Sequence, residues 1–209
     1  MATKSELTQQ LGVVAGFDSP RAALEQYRTP PELAAHLVHT ADLQGDVEDR
    51  LVVDLGCGTG ILALAAALRG AQQVVGVDLD AGALSTALTN ERRVASASPV
   101  SWVQGDATRL PICPSEPATV IMNPPFGAQS GNEHADRAFL ETAARIAAVS
   151  YSVHNAGSES FVESFAADND GEVTHGFQAA FDLPATFDHH TDDTRTIDVE
   201  VFRITWGRE

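Results

Sequence analysis

The sequence predicts an α/β domain built on an open, mostly parallel sheet, and three stretches predict it. Leu51-Val52-Val53 is a short apolar run that leads into Asp54-Leu55-Gly56-Cys57-Gly58-Thr59-Gly60, and a helical pattern follows from about Ile61 to Arg69, stopped by Gly70. Strand, glycine-rich turn and helix in that order form the first βα unit of a nucleotide-binding sheet, where glycines let the backbone approach a ligand closely. The second stretch, Val74-Val75-Gly76-Val77-Asp78, is a buried strand with an acidic end. The third is Val120-Ile121-Met122-Asn123-Pro124-Pro125-Phe126-Gly127. Its prolines lack the backbone N–H that a ladder needs, so the strand stops there and Asn123 is held in a stiff turn. Open α/β sheets place their chemistry at such carboxyl ends of strands.

Composition bounds the rest. The chain has 209 residues and is 44% hydrophobic, enough for one domain with a full core. No run approaches the roughly 18 apolar residues of a membrane span. Met1 to Gln10 lacks the apolar core of a secretion signal, so the expected location is the cytoplasm. The two cysteines, Cys57 and Cys113, suggest neither a disulfide framework nor a zinc site. Acidic residues outnumber basic ones 29 to 13, the net charge is −16, and Lys4 is the sole lysine. Such a surface suits molar salt, where a Debye length of roughly 3 Å screens self-repulsion. We read it as a halophile protein, in which net charge argues little against an RNA partner.

Taken in order, a short N-terminal helix carries Leu7 and Leu11. Ser19-Pro20 reads as an N-cap with proline at N1, opening a second helix through Tyr27. Thr29-Pro30-Pro31 repeats that signal for a helix to about Leu43. Asp80 suits the N-cap of a helix from Ala81 to Arg93, and a third strand runs from Val100 to Gln104. Ala118 to Met122 is the fourth strand, Gly127 to His134 a polar loop over a site, and Ala135 to Val149 a helix. Val149 to His154 is the fifth strand, with a turn at Asn155 and a helix from Ser160 to Ala167. Two late strands follow at 172–181 and 195–206; the latter alternates apolar and polar residues, as a half-buried antiparallel strand does. His189 to Asp193 reads as a solvated hairpin tip rather than a metal site.

Several of these residues suit a ligand. Asp78 lies 18 residues after Gly60, a spacing that suits a carboxylate accepting from two ribose hydroxyls; the alternative is a helix cap. Asp106, in Gly105-Asp106-Ala107, either takes an adenine amino group or closes a turn. The Asn123 side-chain oxygen and a neighbouring carbonyl form two acceptors for one –NH2 group, and Phe126 offers a ring to stack on a base.

Together, D-L-G-C-G-T-G, V-D, G-D-A and N-P-P-F across residues 51–127 resemble a class I S-adenosylmethionine-dependent methyltransferase. That resemblance implies a Rossmann-like, seven-stranded, mostly parallel sheet with an antiparallel last strand and helices on both faces. Outside this core, Leu24-Glu25-Gln26-Tyr27-Arg28-Thr29-Pro30, Tyr151-Ser152-Val153-His154 and Phe181-Asp182-Leu183-Pro184 are similar to segments of a small family of rRNA adenine-N6 methyltransferases found in archaea and eukaryotes. The resemblance implies that residues 1–48 form a helical segment contributing to the cofactor site of a catalytic domain at 49–209, within one compact unit. It implies cofactor contacts from Gln26, Thr29, Gly56, Thr59, Ile61, Asp78, Asp106 and Ala107. It places the target base against Asn123, Pro124, Pro125 and Phe126. It implies a small-subunit rRNA substrate and a small zinc-ribbon activator protein as partner. Two positions depart from the family's basic character: Asn155 and the acidic tip at 189–193. Guanine-N2 methylation of RNA, glutamine-N5 methylation of protein and a non-catalytic subunit are the rival readings. Val100, Trp102 and Gln104 share one face of an expected edge strand, so Trp102 either docks the partner or caps the core.

Overall fold

The computed structural model describes residues 3–94, 96, 98–126, 135–184 and 194–207, with the backbone alone described at 181–184, 194, 195 and 197. The expected polar loop at 127–134 and hairpin tip at 189–193 lie outside the described residues. The elements are α1 (Lys4–Leu11), α2 (Pro31–Leu43), β1 (Leu51–Leu55), α3 (Ile61–Leu68), β2 (Gln73–Asp78), α4 (Ala81–Val94) and β3 (Val100–Gln104). Then come β4 (Ala118–Met122), α5 (Ala135–Ile146), β5 (Ala147–Asn155), α6 (Glu159–Asp168), β6 (Gly171–Pro184) and β7 (Thr194–Trp206).

The strands form one seven-stranded sheet in the order β3-β2-β1-β4-β5-β7-β6. Strands β1 to β5 pair in parallel, and β7 runs antiparallel between β5 and β6. Period-two side chains divide the core into two layers. Val52, Val74, Ile121 and Val201 pack on α1, α2 and α3. Val53, Val75, Val120 and Ile204 pack on α5 and α6. Helix α3 is buried from Ile61 to Ala67, and its alanines let it lie close to the sheet. Among the described residues, no helix is long and apolar enough to cross a membrane.

Chain direction creates the site. From β1 the chain goes to β2 and β3 on one side, then returns to β4 on the other. The crevice between β1 and β4 is therefore the point where strand order reverses, which is where open α/β sheets bind ligands.

Two expectations need correcting. Residues 19–27 do not form an α-helix; they hold a 3-10 turn, Ala22–Leu24, capped by Glu25 at φ 48° in the left-handed region. Side-chain ties described below, rather than helical hydrogen bonds, hold this segment. The helix at 135 also ends earlier, at Ile146, because Ala147 already pairs with Ala118. Alanines at 147 and 148 suit either element, so the pattern gave no boundary.

Behind the sheet, Asp46 ties the loop after α2 to two strands. Tyr151 Oη donates to Asp46 Oδ2 at 2.6 Å and Arg203 Nε donates to the same oxygen at 2.8 Å. Arg203 also reaches Thr174 on β6 at 2.7 Å. Asp46→Ala strips the acceptor from both partners and is expected to cost about 2–4 kcal/mol of stability, read by chemical denaturation in molar KCl.

Candidate active site

A cavity of about 480 Å³ opens at the carboxyl ends of β1, β2 and β4, within the size range of cofactor sites. Of the residues singled out by sequence, Gln26, Thr29, Gly56, Thr59, Ile61, Asp78, Asp106, Ala107, Asn123 and Pro125 line it. Pro124 is buried outside the lining, and Phe126 packs its ring partly against the core.

Each lining residue has a local cause. Asp80, and not Asp78, caps α4: its Oδ1 accepts from the Gly82 N–H at 2.9 Å. Asp78 is thereby left in the cavity wall, where its Oδ2 accepts from the Gly58 N–H and its Oδ1 from the Asp80 N–H, both at 2.8 Å. This carboxylate pins the glycine-rich turn to β2, while burial pushes its pKa up. Gly58 sits at φ +52°, and a Cβ there would meet Phe17 Cζ at 2.9 Å, so only glycine fits under that ring. Asp106 Oδ1 caps the 3-10 turn Ala107–Arg109, accepting from Thr108 Oγ1 at 2.7 Å and from the Thr108 N–H at 2.8 Å. Those bonds hold its pKa low.

Residues 15–29 form one wall, and sequence reading missed how it is fastened. Asn90, fully buried on α4, accepts from the Ala15 N–H at 2.9 Å and donates to the carbonyls of Ala15 and Thr59, each at 3.0 Å. Asp80 Oδ2 accepts from Gln26 Nε2 at 2.8 Å and pairs with Arg21 at 2.7 Å. Gln26 Oε1 accepts from the Arg21 N–H, so its carboxamide is engaged at both ends. Asn123 Nδ2 donates to Thr29 Oγ1 at 2.9 Å, which leaves Asn123 Oδ1 buried and without a hydrogen-bond partner among the described residues. Asn90 carried no signal of its own; a polar residue on the inner face of an otherwise apolar helical stripe was the one available hint.

Two further groups shape the site. Asp54, buried at the end of β1, accepts from the Ala63 N–H at 2.9 Å and so caps α3, whose N-cap residue is the side-chain-free Gly60. Burial pushes its pKa up to about 8. Trp102 resolves toward the core: a Cβ on Gly60 or on Gly76 would meet its ring at 2.6 Å, and its Nε1 donates to Glu91 at 2.8 Å. Strand β3 is nevertheless a sheet edge.

Residues 52–149 match a family described as a methyltransferase domain. The rRNA N(6)-adenosine-methyltransferase Mettl5 of Drosophila melanogaster is 35% identical over 98% of this chain and 97% of its own length. An uncharacterised protein of Methanocaldococcus jannaschii is 33% identical over 98% of this chain and 94% of its own. The crystal structure of a candidate RNA methyltransferase from Pyrococcus horikoshii is 36% identical, with a TM-score of 0.88 over 99% of this chain and 98% of that one. The acid-lined cavity, its glycine turn and the Asp78 carboxylate fit S-adenosylmethionine, a cation bearing two ribose hydroxyls.

On Asp54 the folded state keeps a proton that the unfolded chain releases near pH 4, so the stabilisation is complete below about pH 4 and is lost as pH rises through about 8. Asp54→Asn retains an acceptor for Ala63 and cannot ionise. It is expected to flatten stability between pH 5 and 9 (about that window), measured by thermal unfolding of the cofactor-free protein.

Proposed function

We propose that this chain, which belongs to the family of rRNA N(6)-adenosine-methyltransferases and is an S-adenosylmethionine-dependent N-methyltransferase, methylates the exocyclic N6 of an adenine in small-subunit rRNA. The observation that carries this is Asn123 Oδ1, a buried acceptor at the end of β4 beside the glycine-rich turn, with no protein donor among the described residues. An amine supplies the donor that this oxygen lacks.

When bound, the cofactor supplies a methyl group on an electrophilic sulfonium. The chain's part is positioning. Asn123 Oδ1 and the Pro124 carbonyl each accept an amine hydrogen, turning the nitrogen lone pair toward the methyl. Pro125 keeps this turn rigid, and Phe126 stacks on a base taken out of its helix. Asp78 would accept from the ribose hydroxyls of the cofactor, and Asp106 and Ala107 would hold its adenine ring. Gly56, Thr59 and Ile61 would hold its methionine and ribose, and Gln26 and Thr29 would close the site from the N-terminal side. In this arrangement residues 1–48 complete a cofactor site whose catalytic domain is 49–209. The proton leaves to water after transfer.

The activator is a small zinc-ribbon protein that adds a strand at β3. The carbonyl of Pro99 and the N–H of Gly105 both bond to β2. By the period of two, Val100, Trp102 and Gln104 direct their backbone groups outward, ready for another chain. Contact there is made by the backbone, since the Trp102 ring is turned to the core. The net charge of −16 and the single lysine support a halophile host and a cytoplasmic site of action in concentrated salt.

The deciding assay is methyl transfer from labelled S-adenosylmethionine in molar KCl. Substrates are small-subunit rRNA, DNA and release factor, each with and without the zinc-ribbon protein, followed by nucleoside analysis. N6-methyladenosine in rRNA is the expected product; label in guanine or in protein overturns the substrate. No label with cofactor bound points to a non-catalytic subunit. Asn123→Ala is expected to lower transfer by at least about 100-fold while leaving cofactor affinity nearly intact. Gln104→Pro removes an outward N–H and is expected to weaken activator binding by about tenfold in a pull-down or titration, with the isolated chain still folded.

A further inference from the structure

Asn123 and Thr29 stand 94 residues apart, yet Asn123 Nδ2 donates to Thr29 Oγ1 at 2.9 Å. That bond ties one end of the carboxamide to the N-terminal segment and leaves Oδ1 as the free end. A carboxamide is nearly symmetric in shape, but one end donates and the other accepts. A half-turn of the side chain would exchange them. An incoming amine carries two N–H donors, so it is complementary to the oxygen-forward orientation and sets donor against donor in the other.

We infer that Thr29 is a positioning residue that anchors the Asn123 carboxamide, so that the N-terminal segment holds in place the group on which an amine binds. The inference rests on the reading that Asn123 receives an amine. Thr29 is suited to the task. It is 9% exposed and directly precedes Pro30, whose ring restricts it to extended backbone. Pro30 and Pro31 open α2, which is packed into the core, so the backbone that carries the hydroxyl is held in place. On the other side Gln26 is tied to Asp80 at 2.8 Å. The hydroxyl, able to accept or donate, therefore anchors the end of the Asn123 carboxamide that the substrate does not use. Without it, that end would be buried and unpaired, or the amide would turn to find a partner.

Two variants test this. Thr29→Val keeps the shape and removes the hydroxyl; Thr29→Ser keeps the hydroxyl. The Val variant is expected to lower the single-turnover rate about 10- to 100-fold at saturating substrate, with a much smaller change in cofactor affinity, and the Ser variant to restore most of the rate. Nuclear magnetic resonance of the side-chain amide of Asn123, identified by its absence in Asn123→Ala, gives a readout independent of turnover. Its protons are expected to exchange faster in Thr29→Val than in the unmutated protein or Thr29→Ser. Equal rate losses in both variants, a loss confined to cofactor affinity, or an amide signal unchanged by Thr29→Val overturns the inference. An unmutated protein that methylates no substrate overturns the proposed function instead, and the amide comparison then decides the inference alone.

Discussion

Parallel pairing of β1 with β4 is the constraint on which this molecule depends. Leu55 stands opposite Met122 in the register, so the two strands release Gly56 and Asn123 side by side. One exit becomes the glycine-rich turn, the other the Pro-Pro turn. Neither makes the crevice alone. The register brings the glycine-rich turn and the Asn123 carboxamide together at the carboxyl ends of two central strands, and the buried valines of both strands set that register through the core.

Electrostatics follow from this placement. Asp54 and Asp78 lie at the ends of neighbouring strands; desolvation dominates the upward shift of both, the Asp78 charge adds to that of Asp54, and the Asp80 charge adds to that of Asp78. Asp78 is tied down by two backbone N–H groups, whereas Asp54 has one. The pair therefore differs in character: Asp54 keeps its proton at neutral pH and caps a helix, and Asp78 presents lone pairs to the cavity.

Much of the sheet and part of the site were legible in the sequence. Strands β1 to β4 announce themselves as short apolar runs ending in glycine, aspartate or proline, and Asp80 was correctly separated from Asp78 by the start of the following helix. Gln26 and Thr29 were placed at the site, but the way the N-terminal wall is fastened was not legible. Ser19-Pro20 has the local chemistry of a helix start, yet Arg21, Gln26 and Thr29 are claimed by Asp80 and Asn123, residues far along the chain. Tertiary hydrogen bonds outweighed local propensity there. Asn90 was invisible for the same reason: its importance lies in Ala15 and Thr59, neither of which is near it in sequence. The Trp102 question needed three dimensions as well, because the space it fills is space left empty by Gly60 and Gly76.

The fastening of residues 15–29 also bears on the order in which the molecule comes into being. These residues are synthesised before their anchors at Asp80, Asn90 and Asn123. Loop closure over such separations is slow relative to local helix formation. A nascent chain can thus complete α1 and α2, and even the first βα unit, while its N-terminal wall still waits for β4. The N-terminal wall is therefore fastened only after β4 has been made, and a partly synthesised chain lacks one side of its cavity.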